Sequence, residues 1–354
     1  MVFKPKFINI KNLYVNGDSM GNDFRLVSTK TPLRITFTGG GTDIPSYYRK
    51  YGPGAVVSAT INKYIYVTVA KNFYRDEIRV SYSKTENAIK NVEDIQHPTV
   101  RESLKLLDIR SGIQIISITE IPSRGTGLGS SSSFLVGLLN ALHAWRGEAV
   151  SPKQLAEEAV KIEREILKEP GGKQDQYMAA FGGINLMEFF PDESVSLRQT
   201  LLKLDKRKNL NDHLLMLYTG RERDSTKIHM EQMSSVDDHI DNYNRMKELA
   251  YRTYDVLSNS RWEDLGYLLD ENWSLKKELS NGISDDEIDK WYERAKRAGA
   301  IGGKLMGAGG GGFLLFFVPP EKRMLVKKAI LELQEEPFNF EPFGSRILHM
   351  EGNI

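Results

Sequence analysis

The chain has 354 residues, 40% of them hydrophobic, enough for a packed core and suggestive of two domains. Lys and Arg number 48 and Asp and Glu 47, a formal net charge of +1; this balance argues against a nucleic-acid partner, which usually brings a basic excess. There are no cysteines, which excludes disulfides, thiolate nucleophiles and Cys-ligated metals.

No run approaches 18 apolar residues, so no membrane span is expected. The polar stretch 1–30 lacks a secretory pattern and is set aside as an N-terminal extension. These features point to a cytoplasmic protein without a membrane partner.

The first compact region is expected over 31–195. It opens with a strand, Leu33–Thr38, running into Gly39, Gly40 and Gly41. A second strand is predicted at Lys63–Ala70, where Tyr64, Tyr66 and Thr68 alternate with Ile65, Val67 and Val69. Ile113–Thr119 is a third. A Gly/Ser-rich loop, 123–133, leads into Phe134–Trp145, whose apolar spacing predicts a buried helix. The next helix starts at Ser151-Pro152, with Ser151 as N-cap and Gln154 placed to cap, and stops before Pro170-Gly171-Gly172.

The second region, 196–354, carries a buried strand at Leu214–Thr219. Amphipathic helices are predicted over Met230–Leu257, Arg261–Leu279 and Asp285–Ala298. A glycine-dense loop, Gly302–Gly312, precedes the apolar strand Phe313–Val318. A helix over Pro320–Gln334 and a strand at Arg346–Met350 follow. Strands alternate with helices in both halves, so the fold class is α/β or α+β.

Four segments carry chemistry. In the first, Pro122, Gly125, Gly127, Leu128, Gly129, Ser130, Ser131 and Ser132 lie between a strand and a helix. Glycines let the backbone turn tightly against a ligand, and the helix start aims free N–H groups and its positive dipole end at the turn. A di- or triphosphate fits there. The serine hydroxyls can add hydrogen bonds or ligate Mg²⁺. No Lys follows the last glycine, so this is not a P-loop.

In the second, three glycines precede Thr42 and Asp43. A small ligand could lie on Gly40 and Gly41 while Asp43 accepts from adjacent sugar hydroxyls; a tight turn with Asp43 as a helix cap reads equally well. In the third, Glu163 lies on a helix and Asp175 beyond it. One carboxylate can take a proton from an attacking hydroxyl and the other can hold Mg²⁺, with Glu165 as the rival ligand. In the fourth, Gly309 and Gly310 sit in the loop before the apolar strand, and Lys304 is either a phosphate contact or a solvated charge.

Together these segments resemble the GHMP kinases, the superfamily of galactokinase, homoserine kinase and mevalonate kinase, over roughly residues 31–320. Pro122 with Gly127-Leu128-Gly129-Ser130-Ser131-Ser132 matches its phosphate-binding signature, and Lys304 to Gly312 its C-terminal glycine motif. The resemblance implies an α+β, two-domain fold: an N-terminal mixed-sheet ATP-binding domain and a C-terminal ferredoxin-like domain.

It implies ATP and Mg²⁺ as cofactors, Asp175 as catalytic aspartate with Arg34 beside it, and Ser131 and Glu163 on the metal. Gly40, Gly41, Thr42, Asp43 and Gly183 would line the substrate. The stretches Arg34–Tyr48 and Gly172–Gly183 look most like the D-glycero-D-manno-heptose 7-phosphate kinases, which phosphorylate an anomeric hydroxyl in bacterial heptose activation.

An L-fucokinase or another sugar kinase of the superfamily is the alternative, and a non-catalytic metabolite sensor the reading from another class. A sugar or sugar phosphate is the expected partner of a monomer or homodimer. For a substrate phosphate, Lys173, Arg221, Arg223 and Lys227 are candidate contacts.

Overall fold

The computed structural model describes residues 24–122, 125–222 and 226–352. In chain order the strands are β1 (Phe24–Thr38), β2 (Gly54–Lys71), β3 (Ile78–Ser81), β4 (Thr85–Ile89), β5 (Ile113–Thr119), β6 (Ile184–Phe189), β7 (Val195–Gln199), β8 (Leu214–Tyr218), β9 (Gly302–Leu305), β10 (Phe313–Phe317), β11 (Gln334–Glu335) and β12 (Arg346–Gly352). The helices are α1 (Pro45–Tyr51), α2 (Pro98–Leu106), α3 (Ser130–Trp145), α4 (Pro152–Val160), α5 (Gln174–Phe181), α6 (Leu204–Asp212), α7 (Thr226–Ser234), α8 (Ile240–Asn259), α9 (Trp262–Lys277), α10 (Asp286–Arg297) and α11 (Arg323–Ala329).

Two sheets result. The larger runs β12-β1-β2-β5-β3-β4, with β6 and β7 continuing from the first half of β2. It is mixed, since β3 pairs parallel to β5 while its other ladders are antiparallel. The smaller sheet, β11-β8-β10-β9, is antiparallel. With its helices it forms the expected C-terminal α+β half.

Helix α3 lies against β1 and β2 and is buried on nearly every side, as its unbroken apolar run requires. Its close seat depends on Gly137. A Cβ there would stand 2.6 Å from Thr31 Oγ1, and Thr29 Oγ1 donates to the Gly137 carbonyl at 2.9 Å.

Several expectations need correction. The sheet begins at Phe24, inside the stretch set aside as an extension; residues 1–23 lie outside the described part. The inward positions of 24–31 include Thr29 and Thr31 beside Val27, and buried threonines conceal a two-residue hydrophobic period. The division at 195/196 is crossed: β7 pairs with β6, and β12 returns to pair with β1. The stretch 302–312 is not all loop, since its first four residues form β9 against β10. Glycine is required there by packing, because a Cβ on Gly302 would stand 2.1 Å from the Gly266 carbonyl oxygen. The helix predicted over 230–257 is two helices, α7 and α8, with a 3₁₀ turn at Asp237–His239 between them.

Ser151 caps α4 as expected, accepting from the Gln154 amide at 3.1 Å. Behind α3 and α4, His143 is clamped between Glu148 and Glu158 at 2.7 Å on each ring nitrogen. Burial opposes protonation of His143, but the two carboxylates outweigh it and raise its pKa from 6.5; partial burial would raise Glu158, but its bonds to His143 and Gln154 lower it from 4.5.

The sign follows from linkage. The His143 contribution is complete below 6.5 and is lost as pH rises through the raised value. The Glu158 contribution is complete above 4.5 and is lost as pH falls through the depressed value. In urea melts, the stability advantage of the wild type over His143→Gln should therefore be greatest between pH 4.5 and 6.5. A difference that stays flat from pH 4 to 9 would contradict this origin.

Candidate active site

The β1 strand carries Arg34 to the point where α3 begins. Its Nε and Nη2 donate to Asp175 Oδ1 and Oδ2, each at 2.7 Å. Its Nη1 donates to the Gly127 carbonyl, and its own amide to the Leu128 carbonyl at 3.0 Å. Asp175 stands in the first turn of α5. The carboxylate therefore faces the glycine turn, and a Cβ on Gly129 would lie 3.3 Å from Asp175 Oδ2.

The turn itself is built from left-handed glycines, Gly125, Gly127 and Gly129. Helix α3 starts at Ser130, so Ser130, Ser131 and Ser132 are its first turn rather than loop. Amides in that position have no intrahelical acceptor. Leu128 is fully buried and Pro122 is exposed. A Cβ on Gly127 would stand 2.4 Å from the Met306 carbonyl oxygen, so the two glycine loops meet main chain to main chain. Gly309 and Gly310 turn the other way, where the Gly310 amide donates to the Ile283 carbonyl at 2.9 Å.

Glu163 is almost completely buried in a π-helical turn, Lys161–Ile166, that continues α4. It accepts from Ser131 Oγ at 3.1 Å, from Ser132 Oγ at 2.8 Å and from the Gln176 side-chain amide. Two hard oxygens 3.1 Å apart match the cis edge of an octahedron with metal–oxygen distances of about 2.1 Å. Ser131 and Glu163 thus fit Mg²⁺, while Glu165 is exposed and turned away. The α3 first turn with its glycine approach fits a nucleotide's phosphates on the same side.

Asp43 is buried. It accepts from the Gly41 amide at 3.0 Å, the Gln174 amide at 3.2 Å and Gln174 Nε2 at 3.3 Å. Burial raises its pKa, the backbone donors oppose that rise, and Asp175 adds to it. Gly172 makes room for this carboxylate. Gly40 and Gly41 line the cavity that Asp43 and Asp175 share. Thr42 does not face it, because its hydroxyl donates to the Gly39 and Ala55 carbonyls. Gly183 lies beyond α5, bonded to Glu341 and Thr60 and outside the cavity lining.

Of the remaining lining, Lys304 is a candidate from the sequence, while Gln174, Arg164, His229, Gln232 and Lys276 were not foreseen. Gln174 orients Asp43 and receives Thr36 Oγ1 at 2.7 Å. Arg164 holds the 169–172 loop through the carbonyls of Glu169, Pro170 and Gly172. His229 and Gln232 come from α7, Lys276 from α9 and Lys304 from β9. Lys304 is 1% exposed, which removes the reading as a solvated charge.

The cations considered for a substrate phosphate are engaged elsewhere. Lys173 pairs with Glu193, and Arg221 with Asp285 and Glu287. Lys227 lines a wider cleft of about 770 Å³ on another face of α7, away from Asp175. Arg223 lies outside the described residues.

Such an arrangement can serve phosphoryl transfer to a small molecule. The descriptions "GHMP kinases N terminal domain" and "GHMP kinases C terminal" match residues 87–183 and 247–337, and the chain belongs to the GHMP kinases. It is similar to the D-glycero-alpha-D-manno-heptose 7-phosphate kinase of Campylobacter jejuni, with 31% identity over 80% of this chain and 87% of that one. An L-fucokinase/L-fucose-1-P guanylyltransferase of Bacteroides fragilis is 25% identical over 80% of this chain and 34% of that one. The crystal structure of a D-glycero-D-manno-heptose 1-phosphate kinase from Bacteroides thetaiotaomicron superposes with a TM-score of 0.75 at 25% identity, covering 91% of this chain and 99% of that one. The protein is therefore a sugar kinase of this family, and heptose phosphate kinases are among its relatives.

Gly172 offers a test of the site's construction. A Cβ there would lie 1.8 Å from Asp43 Oδ2, so Gly172→Ala must displace Asp43 and Gln174. It should cost about 1–3 kcal/mol in denaturant unfolding and raise KM for the sugar more than KM for the nucleotide. Unchanged stability and KM would refute the packing argument.

Proposed function

We propose that the protein transfers the γ-phosphoryl of ATP to the anomeric hydroxyl of D-glycero-D-manno-heptose 7-phosphate, giving the 1,7-bisphosphate in heptose nucleotide biosynthesis. The observation that carries this reading is the Arg34–Asp175 fork beneath the glycine turn, beside the Ser131–Glu163 pair. The choice of heptose is supported by the similarity to the Campylobacter jejuni enzyme.

In this reading Asp175 orients the acceptor hydroxyl and takes its proton as the acceptor oxygen bonds to phosphorus and the bond to the leaving ADP oxygen breaks. Arg34 holds the Asp175 carboxylate at two points and stands where negative charge develops. Ser131 and Glu163 would hold Mg²⁺, which when bound neutralises phosphate charge. The first-turn amides of α3 and the glycine backbone would receive the phosphate tail. Asp43, with Gly40 and Gly41, would receive sugar hydroxyls. The nucleotide would thus sit mainly on the N-terminal half, with the C-terminal half closing over it. A cytoplasmic setting, which supplies ATP, goes with this reading.

An ADP-release assay across heptose 7-phosphate, L-fucose, galactose and mevalonate should give the highest kcat/KM with the heptose. A clear preference for L-fucose would replace it with the alternative. Asp175→Asn should keep nucleotide affinity while kcat falls about 10²–10⁴-fold. Near-normal turnover in that variant would remove Asp175 from its role.

A further inference from the structure

The cavity beside Asp175 contains more positive charge than its own carboxylates balance. Arg34, Arg164, Lys276 and Lys304 line it, against Asp43 and Asp175. Arg34 is taken up by Asp175, and Asp43 by backbone and amide donors. Arg164 is bonded to three loop carbonyls and is ion-paired with Glu163 at 3.7 Å.

The two lysines have no such match. Lys276 Nζ donates to the Gly307 carbonyl at 2.5 Å, and Lys304 Nζ to the Phe37 carbonyl at 3.2 Å. Both residues are buried, at 5% and 1% exposure. Among the described residues neither forms an ion pair with a carboxylate within 4.0 Å. An ammonium carries three donors, so donor capacity remains on each. Burial lowers the Lys276 pKa to about 8, helped by Arg34, and lowers Lys304 well below its usual value, helped by Lys276 and Arg34.

Two further atoms point the same way. Among the described residues, His229 Nδ1 and Gln232 Nε2 are buried without a hydrogen-bond partner, and both residues line this cavity. Natural proteins rarely leave buried polar atoms unpaired, and such atoms call for an explanation. Like charges buried side by side are disfavoured unless an anion joins them. Two buried lysines without a carboxylate partner among the described residues suit a phosphate monoester, a strong acceptor of charge-assisted hydrogen bonds.

We propose that Lys276 and Lys304 form the floor of a phosphate subsite beside Asp175, with His229 and Gln232 at its rim. The group it takes is either the phosphate borne by the acceptor sugar or the phosphoryl group in transit. The subsite deepens the sugar-kinase reading and rests on it. It assigns the cavity to a phosphoryl group rather than to neutral sugar hydroxyls alone.

The first test uses inorganic phosphate alone as probe, on the full chain. Methionine substitution removes a buried charge at similar length, so Lys276→Met, Lys304→Met and the double variant should fold. Phosphate should raise the melting temperature of the wild type and do so much less in the double variant. Equal protection of both would overturn the proposal, leaving phosphate to the glycine turn.

The second test is kinetic and identifies the source of the group. If the acceptor's phosphate binds here, Lys276→Met should lower the kcat/KM ratio of heptose 7-phosphate over unphosphorylated heptose about 10- to 100-fold, mainly through KM. If the subsite holds the phosphoryl group in transit, kcat should fall by a similar factor with both acceptors and the ratio should stay. An active wild type whose lysine variants change neither quantity overturns the proposal. A wild type inactive on every sugar, yet protected by phosphate through these lysines, keeps the subsite and refutes the heptose reading.

Discussion

The two-point pairing of Arg34 with Asp175 is the constraint around which the active centre is arranged. It joins three segments far apart in the chain: β1, the start of α5, and the turn before α3, which Arg34 reaches through Gly127. The arginine side chain is 7% exposed and the aspartate 22%. In such a setting, removing one partner strands the other charge, and that cost exceeds what the pair adds to stability. Lysine could not take the place of Arg34, because it offers a point charge and no second parallel donor for the carboxylate. The fork also fixes which way Asp175 faces, toward the cavity and the glycine turn.

The glycines serve contact rather than mobility. At Gly127 and Gly307 two loops from opposite halves approach so closely that a Cβ on either would stand about 2.5 Å or less from the other loop's main chain. Only main chain can meet main chain at that spacing. The turn that would receive phosphates is thereby backed by the loop preceding the smaller sheet's central strand. A substitution there would change the relation of the halves before it changed any hydrogen bond to a ligand.

Much of this was legible in the sequence, and the residues that were not share a physical reason. Ser131 and the turn glycines stand in a short segment whose composition departs from ordinary helix or strand, while the roles of Glu163 and Asp175 were told apart through the family resemblance. Strands such as β5 and the second half of β2 showed their alternation plainly. By contrast, the first half of β2, Gly54 to Asn62, is buried on both faces and small in side chain, so no period was visible. Thr29 and Thr31 hid the inward face of β1. Lys276 stands beside Lys277 in the last turn of an amphipathic helix, where basic residues are common, and nothing local marks it as buried. Its position follows from α9 crossing the triple glycine, where Asn272, one turn earlier, accepts from the Gly39 amide at 2.9 Å. Arg221 and Lys173 had the right charge and found carboxylates nearer to hand. Tertiary placement decided these cases, and it left no trace in spacing or composition.

The origin of the charged groups carries a last consequence. Arg34, Asp43, Glu163 and Asp175 all come from the N-terminal half, while His229, Gln232, Lys276 and Lys304 come from the C-terminal half. The halves touch through bonds that include Lys304 to the Phe37 carbonyl and Asn272 to the Gly39 amide, both at the strand end that leads into the triple glycine. The positive excess is therefore contributed from one side of the cleft, opposite the carboxylates and the phosphate turn. An anion between them is attracted by both sides at once, by the α3 helix start on one and by the lysines on the other. Neither half alone holds the full set of charges that line the cavity.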